Sequence, residues 1–236
     1  MGGPLSFALV AQMLYVYAFC PPLPTPSALP TGITGAAVQV VTVDTLGAIA
    51  ESGVDVAQLK ADDDQLMQAV LTHDRVLNDL FAQVPLLPLR FGTQFNDEEA
   101  LSTFLHQHSA TYQARLTALC DRAEYLLKLT PQPLPLPDLD PNLKGRDYFL
   151  AKKERLQAQT AAVTQQSAEF EAFLAQLEAH QTPFVLSTPQ DTEERLYLLL
   201  SRDAAATQTA VAQWQQQLPT WQLGCSEPLP PYHFAT

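Results

Sequence analysis

An α+β fold in two lobes is what this chain predicts, and three observations carry the prediction. Short runs rich in β-branched and aromatic residues alternate with longer stretches whose apolar residues recur at helical spacing, so strands and helices share the chain. Pro131, Pro133, Pro135, Pro137 and Pro141 form an extended, low-entropy connector past the middle of the 236 residues. With 47% hydrophobic residues, each side of that connector has enough apolar material for a core of its own.

The first lobe is expected over residues 13–130, after a loose leader at 1–12. Residues 13–20 are apolar on both alternating faces, which predicts a central strand covered on both sides. After a Pro-rich excursion at 21–30, the run 36–44 (AAVQVVTVD) gives a second strand, expected to pair with the first. Leu66, Val70, His73, Leu77, Leu80, Phe81 and Val84 place an amphipathic helix over 62–84, with Asp62, Asp63 and Asp64 at its positive end. Pro85 stops it. Residues 86–91 read as a short strand closed by Gly92, and Asn96 with Glu99 resembles a capping box for the next helix. That helix carries Leu101, Phe104, Leu105, His108, Tyr112, Leu116 and Leu119, and a strand at 124–129 completes the lobe. The order ββαβαβ describes an antiparallel sheet with two helices on one face, a ferredoxin-like sandwich.

Residues 131–143 are the connector and 144–236 the second lobe. After Gly145, as far as about His180, there is neither Pro nor Gly, and Phe149, Leu156, Val163, Phe170 and Leu177 recur every seven residues. Such a helix is roughly 50 Å long and needs a companion along its seam. The stretch 203–218, with Thr207, Val211, Trp214 and Leu218 in register, is the candidate within the chain. Strands are expected at 184–187, 195–201 and 220–226, giving αββαβ.

The chemistry of known catalytic centres is missing from the pattern. There is no G-x-S-x-G, no Gly-rich phosphate loop, no C-x-x-C and no H-E-x-x-H. His106 and His108 stand two apart on a helix and point to opposite sides, so they cannot share a metal. Asp62, Asp63 and Asp64 lack the spaced oxygen ligands of a calcium loop and read as a helix cap. His73 on the apolar stripe beside Asp74 reads as a structural histidine. No cofactor and no metal is expected. A net charge of −12 repels phosphate, so nucleic acid and lipid membrane are not expected partners. Cys20, Cys120 and Cys225 are odd in number and far apart, which fits a reducing cytoplasm.

One charge cluster points to a partner. Five of the thirteen basic residues, Lys144, Arg146, Lys152, Lys153 and Arg155, fall within twelve positions at the start of the long helix. The helix dipole disfavours positive charge there. The bland reading is a solvated face with Asp147 and Glu154 nearby; the functional reading is a surface at Lys152, Lys153 and Arg155 for an acidic partner.

Taken together, the motifs resemble the gas vesicle protein F/L family. They run in order: Leu14-Tyr15-Val16-Tyr17-Ala18, His73-Asp74, Leu86-Leu87-Pro88-Leu89-Arg90-Phe91-Gly92-Thr93 and Glu124-Tyr125. Gly145-Arg146-Asp147-Tyr148-Phe149-Leu150, Arg195-Leu196-Tyr197-Leu198 and Pro230-Pro231-Tyr232-His233-Phe234 follow. Two positions depart from the family: Tyr125 where it often has Trp, and Glu227-Pro228-Leu229 before Pro230 where it has Gly-Pro-Trp. The resemblance implies a minor structural or assembly protein of gas vesicles, without enzyme activity, that contacts the apolar shell protein or other accessory vesicle proteins. His73, Asp74, Arg90, Phe91 and Gly92 read as a structural motif, with Arg90-Phe91-Gly92 a junction in which Gly92 permits a tight turn and Arg90 is expected to pair with Asp74. Pro230, Pro231, Tyr232 and Phe234 become candidates for partner contact. The rival expectations are a small-molecule sensor on the ferredoxin-like sandwich, which requires a defined pocket, and a hydrolase assembled from His73, Asp74 and a distant Ser or Cys.

Overall fold

Strand β1 (Leu14–Cys20) shows why the first part of the chain folds as it does: all seven residues are buried, as a strand with apolar side chains on both faces demands. The structure is a computed structural model that describes residues 13–23, 29–133, 140 and 142–235. The expected leader at 1–12 lies outside the described residues, as does most of the Pro-rich connector. The described residues fall into two units, one reaching to Asp121 and taking in the tail from Leu229, the other Arg122–Pro228.

The first unit continues with β2 (Gln39–Val43), β3 (Leu46–Ser52), α1 (Val56–Leu59), α2 (Asp63–Phe81), β4 (Leu87–Pro88), β5 (Gln94–Phe95) and α3 (Glu98–Ala118). Its antiparallel sheet has the order β2-β3-β1-β4, with β5 also paired to β1. Tyr15 and Phe19 of β1 meet the helices: Tyr15 packs against His73 of α2 at 5.7 Å between ring centroids, and Phe19 against Tyr112 of α3 at 4.8 Å. Three expectations change here. The second strand pairs with β3 rather than with β1, because Asp44 at φ +53° turns the chain straight back into Leu46–Ser52. Asp97, not Asn96, caps α3, its Oδ1 accepting from the Ala100 N–H at 2.7 Å. Val70 faces outward rather than lying in the buried stripe of α2.

The second unit consists of β6 (Arg122–Pro131), α4 (Gly145–Ala179), β7 (Phe184–Leu186), β8 (Glu194–Ser201), α5 (Ala204–Gln217) and β9 (Trp221–Cys225). Its antiparallel sheet has the order β7-β8-β6-β9. The strand expected at 124–129 as the last of the first lobe is β6, and it belongs to this sheet. Leu127 and Leu129 on β6 enter a core with Phe173, Leu177, Leu196, Leu198, Trp214, Leu218 and Trp221, and that apolar pull fixes its place. The lobe boundary therefore falls before Arg122 instead of after 130, and the first unit is a β2-β3-β1-β4 sheet rather than the expected ββαβαβ layout.

Only the C-terminal part of α4 packs on this sheet. Phe173 and Leu177 are buried, and the Phe173 ring meets Trp214 of α5 at 5.5 Å, so the expected companionship of the two helices holds there. The packing begins at Gln166, whose Nε2 donates to the carbonyls of Gln132 and Thr220 and whose own carbonyl accepts from Trp221 Nε1 at 3.2 Å.

Candidate functional site

The first unit hides a polar hub where its sheet meets α2. Tyr15 and Tyr17 stand on one face of β1 with rings 4.9 Å apart, and the register shifts between Val16 and Ala18, a bulge at Tyr17. Both rings reach His73, Tyr17 stacked on it at 5.2 Å and Tyr15 edge-on. The His73 tautomer follows from its partners. Nε2 faces the Leu89 carbonyl at 3.2 Å, which can only accept, so Nε2 carries the proton. Nδ1 is then the acceptor of the Tyr15 hydroxyl at 2.7 Å, and that hydroxyl accepts from the Gly92 N–H at 3.3 Å. Burial holds the imidazole pKa down at about 4, against the opposing pulls of the Leu89 carbonyl and of Asp74.

Glu51 is the second centre of the hub. It lies 2% exposed on β3, opposite Tyr15 in register, and accepts from the Tyr17 hydroxyl at 2.5 Å, from the N–H groups of Ile33 and Thr34 at 2.8 and 2.7 Å, and from Thr34 Oγ1. The loop 31–37 is folded over this carboxyl group. Gly32 is required there, since a Cβ at that position would collide with the Glu51 carboxyl. Burial, followed by the hydrogen bond to Glu51, pushes the Tyr17 hydroxyl pKa far up; burial does the same to Tyr15. With both imidazole nitrogens engaged and both phenols kept protonated, the hub is spent on holding β1, β3, α2 and two loops together.

The expected junction residues come together with one change of partner. Phe91 closes the hub, its ring 5.7 Å from His73 and 5.9 Å from Tyr15. Gly92 at φ +88° makes the tight turn, in which Thr93 N–H and Oγ1 both donate to the Arg90 carbonyl. Asp74, however, is reached by Tyr232 of the C-terminal tail and by Asn78, not by the exposed Arg90 side chain. Pro230 and Pro231 are buried, and the Ala235 carbonyl accepts from Arg115 of α3 at 3.4 Å. The tail offered as a partner contact is thus laid down on its own unit.

The family profile described as gas vesicle synthesis protein GvpL/GvpF matches residues 13–236, the span that holds this hub and tail. The chain belongs to the GvpL/GvpF family. The crystal structure of gas vesicle protein GvpF from Microcystis aeruginosa is similar at a TM-score of 0.65 and 18% identity, covering 95% of this chain and 99% of that one. That of GvpF from Anabaena sp. PCC7120 is similar at 0.66 and 18% identity, covering 95% and 96%. At such identities the likeness shows a shared fold, a mixed α+β architecture with two antiparallel sheets. No curated protein matches the chain. The GvpL/GvpF family is one of vesicle structural and assembly proteins and not a known enzyme family.

The remaining site residues lie elsewhere. Lys152 and Lys153 are exposed on α4 and Arg155 half-buried, and none joins an ion pair among the described residues. His106 meets Asp44 at 2.8 Å while His108 donates to the Phe104 carbonyl and stacks on that ring, so the two histidines diverge. No group of three metal-ligating side chains occurs among the described residues, and no helix of theirs is long and apolar enough to cross a membrane. Sequence reasoning missed Glu51 and the loop it holds. The signal was there: a single acid closing the apolar run LGAIAES, and Gly32-Ile33-Thr34-Gly35 beside it.

Proposed function

We propose that this GvpL/GvpF-family chain acts in gas vesicle formation as a non-catalytic binding protein, in the cytoplasm and on the vesicle, with its first unit engaging the apolar shell protein or other accessory vesicle proteins. The observation that carries the reading is on α2. One face of that helix is buried, with His73 in the hub and Val76, Leu77 and Leu80 in the core, while Met67, Val70 and Leu71 on another are 58%, 39% and 55% exposed. Their i, i+3 and i+4 spacing makes one continuous apolar patch on a helix that the hub holds rigid. A very apolar shell protein is the kind of partner such a patch suits.

The test is to express the chain with the other genes of a gas vesicle cluster, float and wash the vesicles, and quantify it in the floated fraction. Retention there, or failure of vesicles to form without the chain, supports the reading. Normal vesicles in its absence, together with none of it on washed vesicles, would sink it. A charge-bearing triple variant (Met67→Glu, Val70→Glu, Leu71→Glu) is expected to abolish whichever effect is seen.

The small-molecule reading has one observation in its favour, a cavity of about 330 Å³ in the second unit lined by Tyr125, Thr207, Val211, Gln215, Leu223 and Cys225. It lies away from the first-unit sheet on which a sensor was expected. A metabolite screen that raised the melting temperature, and lost the effect in Val211→Trp, would favour it.

A further inference from the structure

The first half of α4 is built to be covered. Phe149, Leu156 and Val163 are 70%, 63% and 52% exposed, while the same seven-residue register further along brings Phe170 and Leu177 onto the sheet of the second unit. One apolar residue in every seven keeps a narrow stripe on one side of the helix, with polar side chains at the intermediate positions, a spacing that suits a second helix laid alongside. The charges on this segment are sorted about the seam. Lys152 and Lys153 lie three and four positions after Phe149 and four and three before Leu156, so both side chains stand between the two apolar residues. Arg155 flanks Leu156 directly. Asp147 and Glu154 each precede a seam residue by two positions, which puts them on the far side. The helix also begins without a side-chain cap at Lys144, leaving cations at its positive end without compensation from its own first turn beyond Asp147.

We propose that residues 145–165 of α4 are a docking stem for an acidic amphipathic helix of a partner protein. Its apolar residues cover Phe149, Leu156 and Val163, and its carboxylates meet Lys152, Lys153 and Arg155. A second copy of the chain fits poorly, because this face carries no carboxylate to offer in either orientation and parallel copies would set lysine against lysine. A lipid surface fits poorly as well: the seam is too narrow for the broad apolar face of an interfacial helix, and the chain carries a net charge of −12. The proposal names a surface distinct from the α2 patch and does not depend on the vesicle reading, since peptide binding is measured on the purified chain.

The test uses the full chain and a fluorescent designed peptide of about three heptads, with Leu at the seam positions and Glu at the flanking ones, beside a twin with Lys for Glu. The Glu peptide is expected to bind more than about tenfold tighter than the Lys twin, and to weaken as salt is raised. Phe149→Ala, Leu156→Ala and Val163→Ala together should reduce binding about tenfold or more. Lys152→Glu, Lys153→Glu and Arg155→Glu together should transfer preference to the Lys twin, a gain that misfolding cannot mimic. Equal binding of both peptides, or binding indifferent to both triple variants, overturns the proposal. So does binding to anionic phosphatidylglycerol vesicles without peptide binding, or a dimer in light scattering that the alanine variant dissolves.

Discussion

The two units bury different chemistry. The first packs His73, Glu51, Tyr15 and Tyr17 into one hydrogen-bonded hub, whereas the second encloses Leu127, Leu129, Phe173, Leu177, Trp214 and Trp221 in an apolar cluster and buries Glu124, Gln166 and Thr207 outside it. A polar hub specifies partners by direction, since every donor must find one acceptor, while an apolar core specifies by shape and area. The hub therefore fixes loops, such as 31–37 and the turn at Gly92, that no apolar contact would hold in one conformation. The second core fixes only what reaches it, and α4 runs out beyond it.

That contrast is sharpest along α4 itself. Phe173→Ala is expected to lower the stability of the second unit by about 3–5 kcal/mol through lost burial and a cavity, whereas Phe149→Ala should stay within about 0.5 kcal/mol. Urea titrations of the two variants decide it, and similar losses would mean that the first half of the helix is covered within the chain.

The polar hub should reveal itself by its pH dependence. The folded His73 pKa of about 4 lies below the ordinary value of 6.5, so the folded state resists protonation that the unfolded chain accepts. Stability from this source is complete above pH 6.5 and drains away as the pH falls toward about 4. The full difference is on the order of 3 kcal/mol. Unfolding free energies at pH 7 and 4.5 should diverge in the unaltered chain and draw together in His73→Gln. An unchanged pH slope in that variant would remove His73 as the source.

The smallest effect concerns the tail. Tyr232→Phe removes the hydrogen bond to Asp74 and is expected to cost about 1 kcal/mol, seen as faster proteolytic clipping after the second unit. Clipping at an unaltered rate would mean that the buried Pro230 and Pro231 hold the tail without it.

Elements that obey one local rule were legible in the sequence. The bounds of α4 and α5 follow from an unbroken helical period, and Asp62 and Asp203 cap their helices as short acceptors at that position do. The β2-β3 hairpin was not legible, because Leu46–Ser52 is built of Gly and Ala as much as of β-branched residues and owes its strand to the neighbours on either side. The alternation in β6 announces a strand but not a sheet; only the leucines of the distant β8 decide that. At the hub, His73, Phe91 and Gly92 were found by motif. Their meeting with Glu51 was hidden, since a carboxyl group that accepts from a loop 17 and 18 residues away leaves no spacing to read. The direction of the tail was hidden for the same reason: the motif around Tyr232 marks a contact without saying that Asp74 receives it.

That returning tail sets an order on biosynthesis. The first unit comprises chain that precedes the second unit and a segment that follows Pro228, with the whole of the second unit translated in between. At about 5–20 residues per second, that interval is on the order of ten seconds, during which Asp74 waits without Tyr232 and the surface that Pro230 and Pro231 will cover lies open on the ribosome. A nascent protein in this state presents its earlier-made lobe unfinished, so whatever meets it then meets a different surface from the one the completed unit shows.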